Sequence, residues 1–426
     1  MAEIRTMKAL RYTEKAGPLA DNVCPPYDII SKDERAGLIS KSPYNLVSLE
    51  LPSDEDCPGE DKYAHAGKKL QEWINAGILK QDDKEGMFVY REQFAVKGKQ
   101  YVVTGLICLV KLYDFSEKVV LPHEETLTKA KTDRFNLMKA TFCNFSSVYS
   151  LYLDPAGTIR GILNHAASGK SEHEFTDDEG VTHRLWKIED KAALDALIQA
   201  FADKQLFIAD GHHRYETALN FKKYLAEQNK LEGTNADSIM MTLVDMDDDG
   251  LVIFPTHRLI VDMQINKKEL LDKISADFEF AEYPDIEKAE EVLEQHKDKH
   301  AYVLYDGGSG FTLITAKPHV NDMIFENRSK AYSSLDVTVL HSLILEKGLG
   351  IDKQNMANQI NLRYTRSAEE AVERVKKGAC VLAFIINPTR IHEIKNVALA
   401  GDKMPQKSTY FYPKLKTGLV INKLDK

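Results

Sequence analysis

Several absences narrow the reading of this 426-residue chain before any motif is considered. No run approaches the ~20 consecutive apolar residues of a membrane-spanning helix, and residues 1–20 lack the apolar core of a signal peptide. A cytoplasmic protein with no membrane partner is expected. Cysteine is sparse: Cys24, Cys57, Cys108, Cys143 and Cys380 are odd in number, scattered, and form no Cys-x-x-Cys pair. That excludes a disulfide scaffold and a thiolate zinc site, and suits reduced thiols. No basic tract offsets the net charge of −9, so a nucleic-acid surface is not expected. There is no His-Glu-x-x-His helix. Asp245 to Gly250 is acidic but lacks the spacing and closing Glu of a calcium loop, and reads as a hairpin turn. The glycine-rich stretch Asp306 to Gly310 lacks the Lys-Ser/Thr of a nucleotide loop and reads as a turn between two strands.

What is present centres on residues 206–216. Leu206 to Ala209 is short and apolar with polar flanks, the pattern of a buried strand. Asp210-Gly211 suits a tight turn. From His212 onward Ala218, Phe221 and Leu225 recur at helical spacing, which places His212, His213 and Arg214 in the first helical turn. Amides there lack intrahelical partners and the helix dipole is positive, so the position favours an anion. Arg214 and the imidazoles make phosphate the expected ligand. Asp210 acting only as a helix cap is the plainer alternative. Adjacent histidines point about 100° apart on a helix and do not share a metal ion.

The rest of the chain supplies further candidates. Cys24-Pro-Pro-Tyr-Asp28 is a fixed-shape loop, since paired prolines exclude a helix interior, and Asp28 is a substrate-binding candidate. Ser42 to Asn45 is a second loop, leading into an expected strand at 46–51 that carries Glu50. Residues 61–78 form an amphipathic helix, with Ala66, Leu70 and Trp73 on one face. The stretches 87–94 and 100–110 form a hairpin turning at Lys97-Gly98-Lys99. Pro122 stops a strand, so that His123, Glu124 and Glu125 follow its end as a substrate contact and two carboxylates. A carboxylate beside a phosphate can accept the proton of an attacking hydroxyl or hold a metal ion; a solvated loop explains the acidic pair as well. The helix expected over 128–140 turns Lys129, Lys131 and Arg134 outward. Asn144 opens the next strand. Arg258 and His257 leave the end of a strand at 251–254, and Lys407 lies in the polar stretch Met404 to Lys414; both Arg258 and Lys407 are phosphate-binding candidates.

These residues resemble known families. Ala209 to Arg214 is similar to the phosphate-binding box of the ParB and sulfiredoxin-like superfamily, and best matches its free L-serine kinases. Leu121-Pro-His-Glu-Glu125 looks like the segment that brings those kinases their catalytic glutamate. Over its length the chain resembles domain of unknown function family 1015, through Cys24 to Asp28, Pro43 to Asn45, Asp210 to Arg214 and Met404 to Thr409. The resemblance implies a mixed α/β (α+β) fold: a ParB-like core over 118–265 with an insertion at about 150–200, an N-terminal α/β segment over 1–117 and a C-terminal α/β domain over 266–426. It implies Gly211, His212, His213 and Arg214 as a phosphate cradle, Glu124 or Glu125 as base, and Asp210 as a hydroxyl or Mg²⁺ partner. His212 stands where a sulfiredoxin carries its cysteine, which disfavours that activity. The expected reaction is phosphoryl transfer from ATP, ADP or pyrophosphate to the hydroxyl of free L-serine. A sensor of nucleotide or phosphorylated metabolite is the alternative, and homo-oligomerisation is left open.

Overall fold

A computed structural model describes residues 1–124 and 128–425. The fold is mixed α/β, and the chain forms two compact units: Met1–Pro122, Thr126–Val252 and Pro413–Lys426 make the first, His123–Glu125 and Ile253–Tyr412 the second. This division departs from the expected boundaries at 117/118 and 265/266. The N-terminal hairpin and the expected core share one sheet, because Lys99–Lys111 pairs antiparallel with Ser238–Asp245. The last residues return to that unit, where Asn422 pairs with Asn144.

The first unit is built on a mixed sheet in the order Val120–Leu121, Leu206–Asp210, Val148–Tyr152, Ser238–Asp245, Lys99–Lys111, Met87–Val96, Thr182–Ile188, His173–Thr176, with Ile4–Arg5 also pairing with Lys99–Lys111. Leu206–Asp210 runs parallel to Val120–Leu121, and Ser238–Asp245 runs parallel to Val148–Tyr152. The expected hairpin of Met87–Val96 and Lys99–Lys111 is present, with Lys97 and Gly98 both at positive φ as a tight two-residue turn requires. The hairpin expected at 245–250 is not formed by Ser238–Asp245, whose pairing edges are taken by Lys99–Lys111 and Val148–Tyr152.

Two local expectations fail for reasons of packing. Residues 46–51 contain a short helix, Val47–Glu50, not a strand. The Asn45 side chain accepts from the Val47 amide at 3.0 Å and so starts that helix. Arg134 is buried, not outward. Its helix, Thr128–Thr141, packs against both Lys62–Asn75 and His212–Glu227, so two of its sides are covered. Contact with the first is close: a Cβ on Gly67 would stand 2.6 Å from the Ala140 carbonyl oxygen, which only glycine permits.

The second unit carries an antiparallel six-stranded sheet in the order Phe278–Tyr283, Phe311–Ala316, Ala301–Tyr305, Leu382–Ile386, His257–Ile260, Leu362–Thr365. Its core includes Leu259, Val303, Leu313, Ala371 and Ile385. All five cysteines are buried thiols. Among the described residues no helix is long and apolar enough to cross a membrane.

Candidate functional site

Strand Leu206–Asp210 is buried through Ala209 and surfaces at Asp210. Its register against Val148–Tyr152 shifts between Ile208 and Asp210, an irregularity that re-aims the side chains at the strand end. Gly211 then adopts φ 93°, ψ 26° as the N-cap of helix His212–Glu227, and no side chain caps that helix. Asp210 accepts from the Gly211 amide at 2.9 Å and so holds the turn itself, which separates its role from the helix cap that an Asp-Gly pair suggests. The helix is fixed from below. Tyr215 donates to the Tyr113 carbonyl at 2.8 Å and accepts from the Tyr113 amide at 3.0 Å, and Ala218, Phe221 and Leu225 are core residues.

Arg214 folds back over the turn. Its guanidinium donates to the Ser147 carbonyl and stands 3.7 Å from an Asp210 carboxylate oxygen. A Cβ on Gly211 would meet the Arg214 Nε and Nη2 atoms at 2.9 Å. Gly211 therefore serves both the left-handed backbone and the close approach of the guanidinium. Lys414, from the C-terminal stretch of the same unit, reaches the same Asp210 oxygen at 3.0 Å. Burial alone would raise the Asp210 carboxyl; the charges of Lys414 and Arg214, with a contribution from His212, hold it well below the usual carboxylate range. Gly211→Ala is expected to cost about 1–2 kcal/mol from the strained φ and to displace the Arg214 guanidinium, which phosphate titration paired with urea denaturation would measure. Unchanged phosphate binding would separate Gly211 from any ligand role.

A second cluster in this unit feels the Arg214 charge. Glu50 is 3% exposed. It accepts from Ser146 Oγ at 2.9 Å, and Arg134 donates to its backbone carbonyl at 2.6 Å. Burial pushes the Glu50 carboxyl up, opposed by Arg134, the Ser146 hydrogen bond and Arg214. The Arg134 guanidinium lies 4.0 Å over the Tyr27 ring, and burial pushes the Tyr27 phenol up to about 12. The loop at Ser42 to Asn45 is tied to the residues just before Cys24, since Asn45 Nδ2 donates to the carbonyls of Asp21 at 2.7 Å and Val23 at 3.1 Å. Glu50 and Lys414 are the residues that sequence reasoning missed as site candidates. The cue for Glu50 was an acidic residue inside an apolar run; Lys414 carried no local cue.

The other candidates fall as follows. Asp28 is exposed on the short helix Tyr27–Ile29. Asn144 is buried, and its side-chain oxygen accepts from Asn422 at 2.8 Å and the Met240 amide at 3.4 Å. Its side-chain oxygen thereby joins strands. His123, Glu124, Arg258 and Lys407 belong to the second unit. His123 is buried with Nε2 3.2 Å from Thr409 Oγ1. Glu124 accepts from the Lys407 amide at 3.4 Å. Lys407 is exposed, at positive φ. Arg258 is fully buried and donates to the carbonyls of Thr256 and Lys407. Glu125 lies outside the described residues.

Among the described residues no group of three or more His, Cys, Asp and Glu could hold a metal ion. The Asp210 carboxylate, already engaged by two cations and an amide, does not fit a Mg²⁺ ligand as it stands. The turn can instead hold an anion, through the head of a helix and a guanidinium set in place by Ser147 and Asp210.

A family model described as protein of unknown function (DUF1015) matches residues 4–338. Similar solved structures include a conserved hypothetical protein from Pyrococcus furiosus, at 15% identity and TM-score 0.35, covering 74% of this chain and 95% of that one. A free serine kinase in complex with AMP aligns at 15% identity and TM-score 0.35, covering 74% and 92%. SbnI from Staphylococcus aureus, truncated at its C-terminus, aligns at 10% identity and TM-score 0.31, covering 74% and 87%. No curated protein matches the chain.

Proposed function

The chain belongs to the DUF1015 family, and from that premise we propose that it is a small-molecule kinase, moving a phosphoryl group from a nucleotide or pyrophosphate to the hydroxyl of free L-serine. The observation that carries this reading is the head of helix His212–Glu227 set behind Gly211 at left-handed φ, with the Arg214 guanidinium folded against the turn. Phosphoryl transfer depends mostly on positioning and on neutralising charge on the transferred group. The helix-head amides and Arg214 would hold the donor phosphate. Asp210, ionised and fixed by Lys414, would orient Arg214. It is a poor proton acceptor in that state, so the acceptor of the serine proton is a separate group in this reading.

A sensor that binds the same anion without turnover is the second reading, favoured by the fully engaged state of Asp210. One experiment separates the two. The full chain is incubated with Mg²⁺, free L-serine and ATP, ADP or pyrophosphate in turn, and O-phosphoserine is followed by ³¹P NMR. O-phosphoserine is expected with at least one donor. Donor binding without product would leave the sensor; binding of none of the three donors would end both readings.

A further inference from the structure

The second unit holds a feature that the phosphate turn does not explain. Helix Asp336–Val339 runs into a π-helical stretch, Leu340–Glu346, in which the Lys347 amide bonds to the Ser342 carbonyl. Such widened turns are rare and concentrate at functional sites. Here the stretch sets His341, Ser342 and Glu346 along one wall of a cavity of about 170 Å³, whose other walls include Tyr332, Tyr364 and Met356. Met404, Pro405 and Gln406 also border it, so part of the Met404 to Thr409 motif faces this space.

Two buried side-chain nitrogens in this region, on His341 and Arg258, lack hydrogen-bond partners among the described residues. His341 is 9% exposed, and its Nε2 atom has no hydrogen bond among the described residues. Leaving such an atom unmet is costly. Burial and the charge of Arg258 keep the ring neutral. Arg258 is itself fully buried, its Nε has no hydrogen bond among the described residues, and the charges acting on it there are those of Tyr364 and Tyr302. Its guanidinium lies 5.5 Å from the centre of the Tyr364 ring, and that ring is a wall of the cavity. A buried cation without a counter-ion is costly. Of the two acids on the lining, Glu326 is held by Lys353 at 3.2 Å, Arg328 at 3.5 Å and the Tyr332 hydroxyl at 3.0 Å. Lys403 adds a further cation to the lining.

The three cations of the lining, Arg328, Lys353 and Lys403, outnumber its two acids, Glu326 and Glu346, and Arg258 behind Tyr364 adds to them, while the walls are aromatic and thioether surfaces that suit a flat or apolar body. The volume lies below the roughly 300 Å³ at which drug-sized sites begin. We propose that this cavity is a binding site for a small organic carboxylate with an apolar or aromatic body, its acid group drawn to the Arg258 and Lys403 side and its body against the tyrosines and methionines. This site is independent of the phosphate reading of the first unit.

Sodium phenylacetate is the probe, titrated into the full chain by calorimetry beside its neutral isostere phenylacetamide. One phenylacetate per chain is expected, with phenylacetamide at least about 10-fold weaker, the worth of one charge-assisted contact. Lys403→Ala is expected to weaken phenylacetate by about 3-fold or more with no effect on the amide. His341→Phe fills the cavity and should abolish binding; should that variant fail to fold, the acid–amide comparison and Lys403→Ala still decide. Equal affinity for acid and amide, displacement of phenylacetate by inorganic phosphate, or no binding at about 10 mM, weaker than the millimolar scale expected of a small ligand, would overturn the proposal.

Discussion

Arg214→Ala is expected to lower affinity for pyrophosphate and ADP by about 100-fold or more, since two charge-assisted hydrogen bonds at about 1.5 kcal/mol each amount to two decades. The same substitution is expected to cost about 1–3 kcal/mol of stability. Arg214 is 9% exposed and donates to the Ser147 carbonyl, which would lose its partner, and Asp210 would keep only Lys414 of its two cations. Calorimetric titration of both anions, with urea denaturation as the companion measurement, separates binding from folding. Arg214→Lys keeps the charge and loses the planar fork, so an intermediate affinity is expected. Wild-type affinity in Arg214→Ala would show that the turn does not hold phosphate.

The second large effect concerns stability and pH. Glu92 is 2% exposed on a central strand, and burial pushes its carboxyl up to about 7, against a hydrogen bond from Tyr90 and the charge of Lys416. The Tyr90 hydroxyl donates to Glu92 at 3.0 Å and lies 2.7 Å from His183 Nδ1. The other ring nitrogen of His183 is 3.0 Å from Asp177, which Lys416 also pairs at 2.6 Å. Burial lowers the His183 pKa, opposed by its hydrogen bond to Asp177.

A carboxyl with a raised folded-state pKa contributes its stability below the unfolded value, near pH 4, and loses it as pH climbs through about 7. Glu92→Gln keeps an acceptor for Tyr90 and removes the titration. It is therefore expected to stabilise the chain at pH 8 by on the order of 3 kcal/mol, and to change little at pH 4.5. Urea midpoints at the two pH values check this. An equal gain at both, or a loss at pH 8, would mean that Glu92 is paired as an anion and does not titrate in this window.

What could be read in the sequence was local. The apolar run 206–209, the Asp210-Gly211 turn and the Ala218, Phe221, Leu225 face are repeats of two to four residues, and strand, turn and helix stand where those repeats put them. The hairpin at Lys97-Gly98 was equally legible, because a two-residue turn with positive φ has a narrow residue choice. Glu50 was misplaced on a strand because its run is apolar on every side, and periodicity cannot tell a buried strand from a short buried helix. Arg134 was misjudged because charge alone suggested solvent, whereas helices packed on two sides of its own helix enclose it.

By itself the sequence determined the chemistry of the turn: an acid, a glycine, two imidazoles and a guanidinium at the start of a helix. Only the tertiary structure decided what surrounds it. Lys414 reaches Asp210 from 204 positions away, and Ser147 takes the Arg214 guanidinium from 67 positions away. The unpartnered nitrogens of Arg258 and His341 come from separate elements of the second unit. Ion pairs and buried vacancies arise where distant segments close on one another, and the spacing of residues along the chain does not encode that closure.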